Sequence, residues 1–153
     1  MKRGIALVFF AVIAMVLGAT FLHAADPSDV GSPAFKQISS NTMTLKYGFR
    51  GASVLDNSLK KWVFHEMATI TNSKLEGHVN KINNNFALAA GLHEVAIYDY
   101  SKHTWFVYKK KGADDSTGAL TWNFNLTKSQ AKVKLLQGPF IKYTTATGWI
   151  EVK

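Results

Sequence analysis

Ser73-Lys74-Leu75-Glu76-Gly77-His78-Val79-Asn80-Lys81-Ile82-Asn83-Asn84-Asn85-Phe86-Ala87-Leu88-Ala89-Ala90-Gly91 decides how the rest of the chain is read. Leu75, Val79, Ile82, Phe86, Ala89 and Ala90 recur at the 3.6-residue period of a helix with one buried stripe. Ser73-Lys74-Leu75-Glu76 has capping-box spacing, in which the Ser and Glu side chains each satisfy a free backbone N–H. Gly91 stands where a left-handed C-terminal cap is needed. Gly77 and the run Asn83-Asn84-Asn85 oppose a helix, each by up to about 1 kcal/mol relative to Ala. The stripe and caps together predict a main helix over about 73–90, held by its buried face.

Working outward, Glu94 to Tyr100, the turn Ser101-Lys102-His103, and Thr104 to Lys110 predict a hairpin. Its arms are apolar on both faces, as expected at the centre of a sheet. Upstream, Met43, Leu45, Tyr47 and Phe49 alternate with Thr44, Lys46 and Gly48, a half-buried strand. Residues 59–71 fit a strand or a helix, and Val63, Thr69, Ile70 and Thr71 favour the strand. Downstream, Leu120, Trp122, Phe124 and Leu126 predict a further strand. Thr127-Lys128-Ser129-Gln130 repeats the capping-box spacing before Gly138-Pro139, which predicts a short second helix over about 128–137. Phe140–Thr145 and Gly148–Val152 make a last hairpin.

The expected fold is therefore α+β, an antiparallel meander sheet packed across one main helix. An alternative rests on Trp62, Trp105 and Trp149, spaced 43 and 44 residues apart, with Asp56-Asn57-Ser58 and Asp99-Tyr100-Ser101 at matching offsets before the first two. That pattern suits a mainly-β three-fold hairpin repeat.

Lys2 and Arg3 precede an uncharged run from Gly4 to Leu22, and Leu22-His23-Ala24 is an acceptable cleavage site. Residues 1–24 are expected to be a secretory signal peptide, 25–41 a loose leader, and 42–153 a single domain. An uncleaved signal would instead anchor the chain in a membrane. The chain has no Cys, so disulfides, thiolate metal sites and a cysteine nucleophile are excluded. A secreted domain of this size without disulfides suits a bacterial periplasmic or exported protein.

The chain carries 18 Lys and Arg against 10 acids, and beyond the signal Arg50 is the only Arg. So strong a Lys bias argues against nucleic-acid reading, which recruits the planar fork of Arg. An anionic envelope polymer or the acidic face of a protein remains as partner. His65-Glu66 lacks a second His at zincin spacing, because Thr69 occupies that place. No metal or cofactor motif is present. His78 and His93 are the candidates for a base in a small exported hydrolase.

Tyr98, Tyr100, His103, Trp105, Lys109, Lys110 and Lys111 form an aromatic and basic cluster on the central hairpin. The expected function is an exported, non-enzymatic binding protein of inhibitor or immunity type, engaging a protein partner through that cluster. The alternatives are the hydrolase and a cell-wall or glycan-binding envelope protein.

Overall fold

The computed structural model describes residues 36–67, 80–91, 93–109, 121–135 and 138–153. Twelve strands occupy them: β1 (Lys36–Ser39), β2 (Met43–Gly48), β3 (Gly51–Asp56), β4 (Lys61–Glu66), β5 (Lys81–Ile82), β6 (Phe86–Ala90), β7 (Glu94–Asp99), β8 (Thr104–Lys109), β9 (Thr121–Leu126), β10 (Ala131–Leu135), β11 (Phe140–Thr144) and β12 (Gly148–Val152). They form three four-stranded antiparallel meanders, β1–β4, β5–β8 and β9–β12. No helix occurs among the described residues, so the α+β expectation is overturned.

The main helix fails for a physical reason. Residues 73–79 lie outside the described residues, but 81–90 form the β5–β6 hairpin. Asn83-Asn84-Asn85 is its turn: Asn83 Oδ1 accepts from the N–H groups of Asn85 and Phe86, 2.8 Å each. Asn offers the backbone this local alternative to a helix. Phe86 to Ala90 are all buried, because β6 lies in the middle sheet with a sheet on either side. A strand buried on both faces shows no alternation, so its apolar residues also fit a helical stripe.

The second helix fails in the same way. Thr127 Oγ1 accepts from the N–H groups of Ser129 and Gln130, as a capping Thr would, but the turn leads into β10. Residues 136–137 lie outside the described residues. The hairpins at 94–110 and 140–152 stand as β7–β8 and β11–β12; of the strand expected within 59–71, Lys61–Glu66 is β4, and 68–71 lie outside the described residues. β1 falls within 25–41, the stretch expected as a leader, and pairs with β2 from Lys36↔Tyr47 to Ser39↔Thr44.

The sheets stack by their faces. One core joins Met43, Leu45, Tyr47, Ala52 and Val54 of the first sheet to Ala87, Ala89, Ala96 and Tyr98 of the second. The other joins Phe86, Leu88, Ala90, Val95 and Ile97 of the second sheet to Phe124, Ala131, Val133, Leu135, Ile141 and Tyr143 of the third. Alternate residues of β6 and β7 thus serve opposite cores, the two-residue period of a strand used on both sides. At each junction the earlier meander presents its trailing face and the later one its leading face.

Three interactions recur at both junctions. Tyr98 OH donates to Asp56 Oδ2 and Tyr143 OH to Asp99 Oδ2, both at 2.9 Å. Trp105 Nε1 donates to the Val63 carbonyl at 2.9 Å and Trp149 Nε1 to the Phe106 carbonyl at 3.0 Å. Val63 and Phe106 lie on the edge strands β4 and β8, so each indole satisfies a carbonyl at a sheet edge. Asp56 and Asp99 also bind their own turns through Ser58 and Ser101. The Trp spacing in the sequence therefore records a real repeat, but its unit is a four-stranded meander and the units stack face to face.

Glycine is required where β2 turns into β3. A Cβ on Gly51 would sit 2.3 Å from the His65 carbonyl oxygen. Lys60 and His103 hold the left-handed position (φ 52° each) in the β3–β4 and β7–β8 turns. The β11–β12 turn is one residue shorter between its Tyr and Trp, and Gly148 takes the positive φ of 66°.

Candidate functional site at the outer face of the third sheet

The expected hairpin cluster is distributed by the fold rather than gathered on a surface. Tyr98 is fully buried between the first two sheets, its hydroxyl on Asp56. Burial and the Asp56 carboxylate push that hydroxyl's pKa up. Trp105 is half-buried, edge-on to Tyr98 and tilted against His65. Tyr100 is half-buried and packs edge-on against His103. His103 is exposed, yet its Nδ1 lies 2.7 Å from Asp56 Oδ2. Lys109 is exposed and pairs with Glu94 at 3.1 Å. Lys110 and Lys111 lie outside the described residues.

Tyr98, His103 and Trp105 lock the first sheet to the second. Burial pushes the Asp56 carboxyl upward, but hydrogen bonds from Ser58, His103, Leu59 and Tyr98 outweigh it and bring the pKa down to about 2. The ionised carboxylate only accepts, so the His103 Nδ1 carries the proton. At the other end of β4, His65 Nε2 meets Glu94 Oε1 at 2.5 Å, and Lys109 meets Oε2. Burial raises the Glu94 carboxyl and these two partners lower it further, leaving it below its ordinary value. Asp99 is held low at the second junction: burial raises it, while Thr145, Ser101 and Tyr143 lower it by hydrogen bonding.

His78 lies outside the described residues, and His93 sits half-buried between β6 and β7. No group of three or more His, Asp or Glu among the described residues could hold a metal ion. His65 and His103 each engage a carboxylate, at opposite ends of the same inter-sheet junction.

The third sheet departs from the repeat on its trailing face. Leu45 opposes Val54 in the first sheet and Leu88 opposes Ile97 in the second. The corresponding pair in the third sheet is Lys132↔Lys142. Tyr47↔Ala52 and Ala90↔Val95 correspond to Lys134↔Phe140. Ile150 pairs with Lys142 and Val152 with Phe140 along β12. This face is open: Phe140 is 51% exposed, Ile150 39% and Val152 38%. Lys134 Nζ lies 4.6 Å from the Phe140 ring centroid, a cation–π contact.

The face is basic and apolar together. Asn125, Lys132, Lys134, Phe140, Lys142, Ile150 and Val152 line it, and Glu151 points to the opposite side, where it accepts from Tyr108 OH. Shallow hollows run between these side chains, one bounded by Lys132, Lys134, Phe140 and Asn125, the next by Lys132, Phe140, Val152 and Lys153. Lys132 and Lys142 stand directly opposite each other, which costs stability. Sequence reasoning missed this face, although Lys132 and Lys134 alternate with Ala131, Val133 and Leu135, a period-two signal.

Compared with protein-family models, with curated proteins and with solved structures, the chain matches none.

Proposed function

We propose that this is a non-enzymatic binding protein that engages an anionic partner surface through the outer face of its third sheet. One observation carries the proposal. Where the first two sheets bury an apolar trailing face beneath the next sheet, the third exposes Phe140, Ile150 and Val152 among Lys132, Lys134 and Lys142. Charge complementarity selects an acidic partner, and the apolar side chains supply the area that excludes water. The Lys132–Lys142 opposition is the kind of stability cost retained where a surface serves binding.

Poly-L-glutamate is a direct probe of the charge component. Binding measured by fluorescence anisotropy is expected to weaken steeply with salt, since exposed charges are screened beyond about 8 Å at physiological ionic strength. The triple variant Lys132→Gln, Lys134→Gln, Lys142→Gln is expected to lose at least about tenfold in affinity, or about 1.4 kcal/mol. Equal affinity in variant and wild type would remove this face from the proposal.

Export is part of the same proposal and rests on the run from Gly4 to Leu22. Mass spectrometry of the protein recovered from its native host should then show a mature chain beginning at Ala25. Recovery of the chain with Met1 to Ala24 intact, in the cytoplasmic fraction, would refute it.

A further inference from the structure

We infer that the outer face of the third sheet is an acceptor for a fourth β-sheet layer, supplied by an acidic partner chain that stacks face-on. The inference rests on the proposed binding role of this face and names the kind of partner that fits it.

The face continues a series of interfaces already formed twice within the chain. The trailing faces of the first and second sheets are each covered by the leading face of the next sheet. The third trailing face has the same strand order and antiparallel pairing, so it offers the same layered surface. The recurring indole bond points the same way. Val63 and Phe106 give their carbonyls to Trp105 and Trp149, and Ile150 is the next residue in that series. Its carbonyl lies on the edge strand β12, where an indole or amide of a fourth layer would meet it.

Two departures define the partner. Lys132, Lys134 and Lys142 replace Leu88, Ala90 and Ile97, so a purely apolar leading face would bury three ammonium groups without counter-charges. A partner with carboxylates at those places satisfies them. Thr144 stands where Asp56 and Asp99 accept the Tyr hydroxyl of the next sheet, and it pairs with Thr147 inside its own turn. The polar lock that holds the internal sheets together is therefore missing. A layer docked here is held by charge and apolar area, as suits a separable partner.

A second copy of this chain is a poorer occupant. Its own first sheet carries Lys46 on the leading face, which would bring like charge against the Lys cluster.

The test extends the full chain after Lys153 with a second copy of residues 110–153, which supplies one more leading face. In one version the added copy is unaltered. In another it carries Ala131→Glu and Val133→Glu, placing carboxylates toward the Lys cluster. A third combines that acidic copy with Lys132→Glu and Lys142→Glu in the host sheet, which reverses the match while leaving the added copy the same. Docking is read as amide hydrogen-exchange protection at Ile150 and Val152 of the host sheet. The acidic copy is expected to slow exchange there at least about tenfold, with little protection in the other two. No protection from any version would overturn face-on stacking. Equal protection from the acidic and unaltered copies would overturn the selection for carboxylates. Loss of poly-L-glutamate binding on the Lys→Gln substitutions, with no docking of any fourth layer, would leave the binding face standing and remove only the sheet partner.

Discussion

Replacing Asp56 with Ala should cost about 3–5 kcal/mol, enough to unfold much of the protein at moderate temperature. Asp56 is fully buried, and its two oxygens accept from the Ser58 N–H and hydroxyl, the Leu59 N–H, the Tyr98 hydroxyl and His103. Truncation leaves those donors without an acceptor, the Tyr98 hydroxyl deepest among them. The same carboxylate gives a pH signature. Its folded pKa of about 2 lies below the ordinary carboxylate value of 3.8, so its stabilisation is fully present above about pH 4 and is lost as pH falls toward 2. The shift corresponds to on the order of 2 kcal/mol. Urea titrations of wild type and Asp56→Asn at a series of pH values should show a shallower acid decline in the variant. Asp99 and Glu94, also depressed, keep some decline in both. An identical acid profile in the two proteins would mean that Asp56 does not hold the first junction through its charge.

Leu88→Lys is expected to lose more than about 4 kcal/mol, whereas Lys132→Leu, the converse exchange at the corresponding position, should change stability by less than about 1 kcal/mol. Leu88 is fully buried between the second and third sheets, where an ammonium group has neither water nor a counter-charge. Lys132 is exposed on the terminal face and opposes Lys142, so Leu there removes a like-charge pair. Denaturant midpoints followed by circular dichroism test both substitutions. Similar losses at the two positions would contradict the open terminal face on which the functional proposal depends.

The aromatic cluster illustrates why the site was hard to read. Tyr98 and Trp105 recur as Tyr143 and Trp149 because the second and third meanders each supply a Tyr for the preceding Asp and a Trp for the preceding edge carbonyl. Their chemistry is that of an interface, but the interface is internal. The Lys132–Lys142 face carried the weaker signal. Thr127-Lys128-Ser129-Gln130 has the same local hydrogen-bonding pattern in a hairpin turn as at a helix start, and that similarity hid the alternation of the strand after it. The hairpins β7–β8 and β11–β12 were legible because each is closed by a polar turn whose chemistry is local to a few residues.

The sequence by itself determined the absence of cysteine chemistry, the Lys-dominated positive charge, the hairpins β7–β8 and β11–β12 and the regular spacing of the Trp residues. Those properties depend on composition or on neighbours a few residues apart. Only the tertiary structure decided that Phe86–Ala90 is a strand, that Tyr98 is internal and that the third sheet presents an open basic face. Each of those outcomes depends on what lies across a sheet, about 43 residues away in the chain, where one-dimensional periodicity cannot tell a strand buried on two faces from the stripe of a helix.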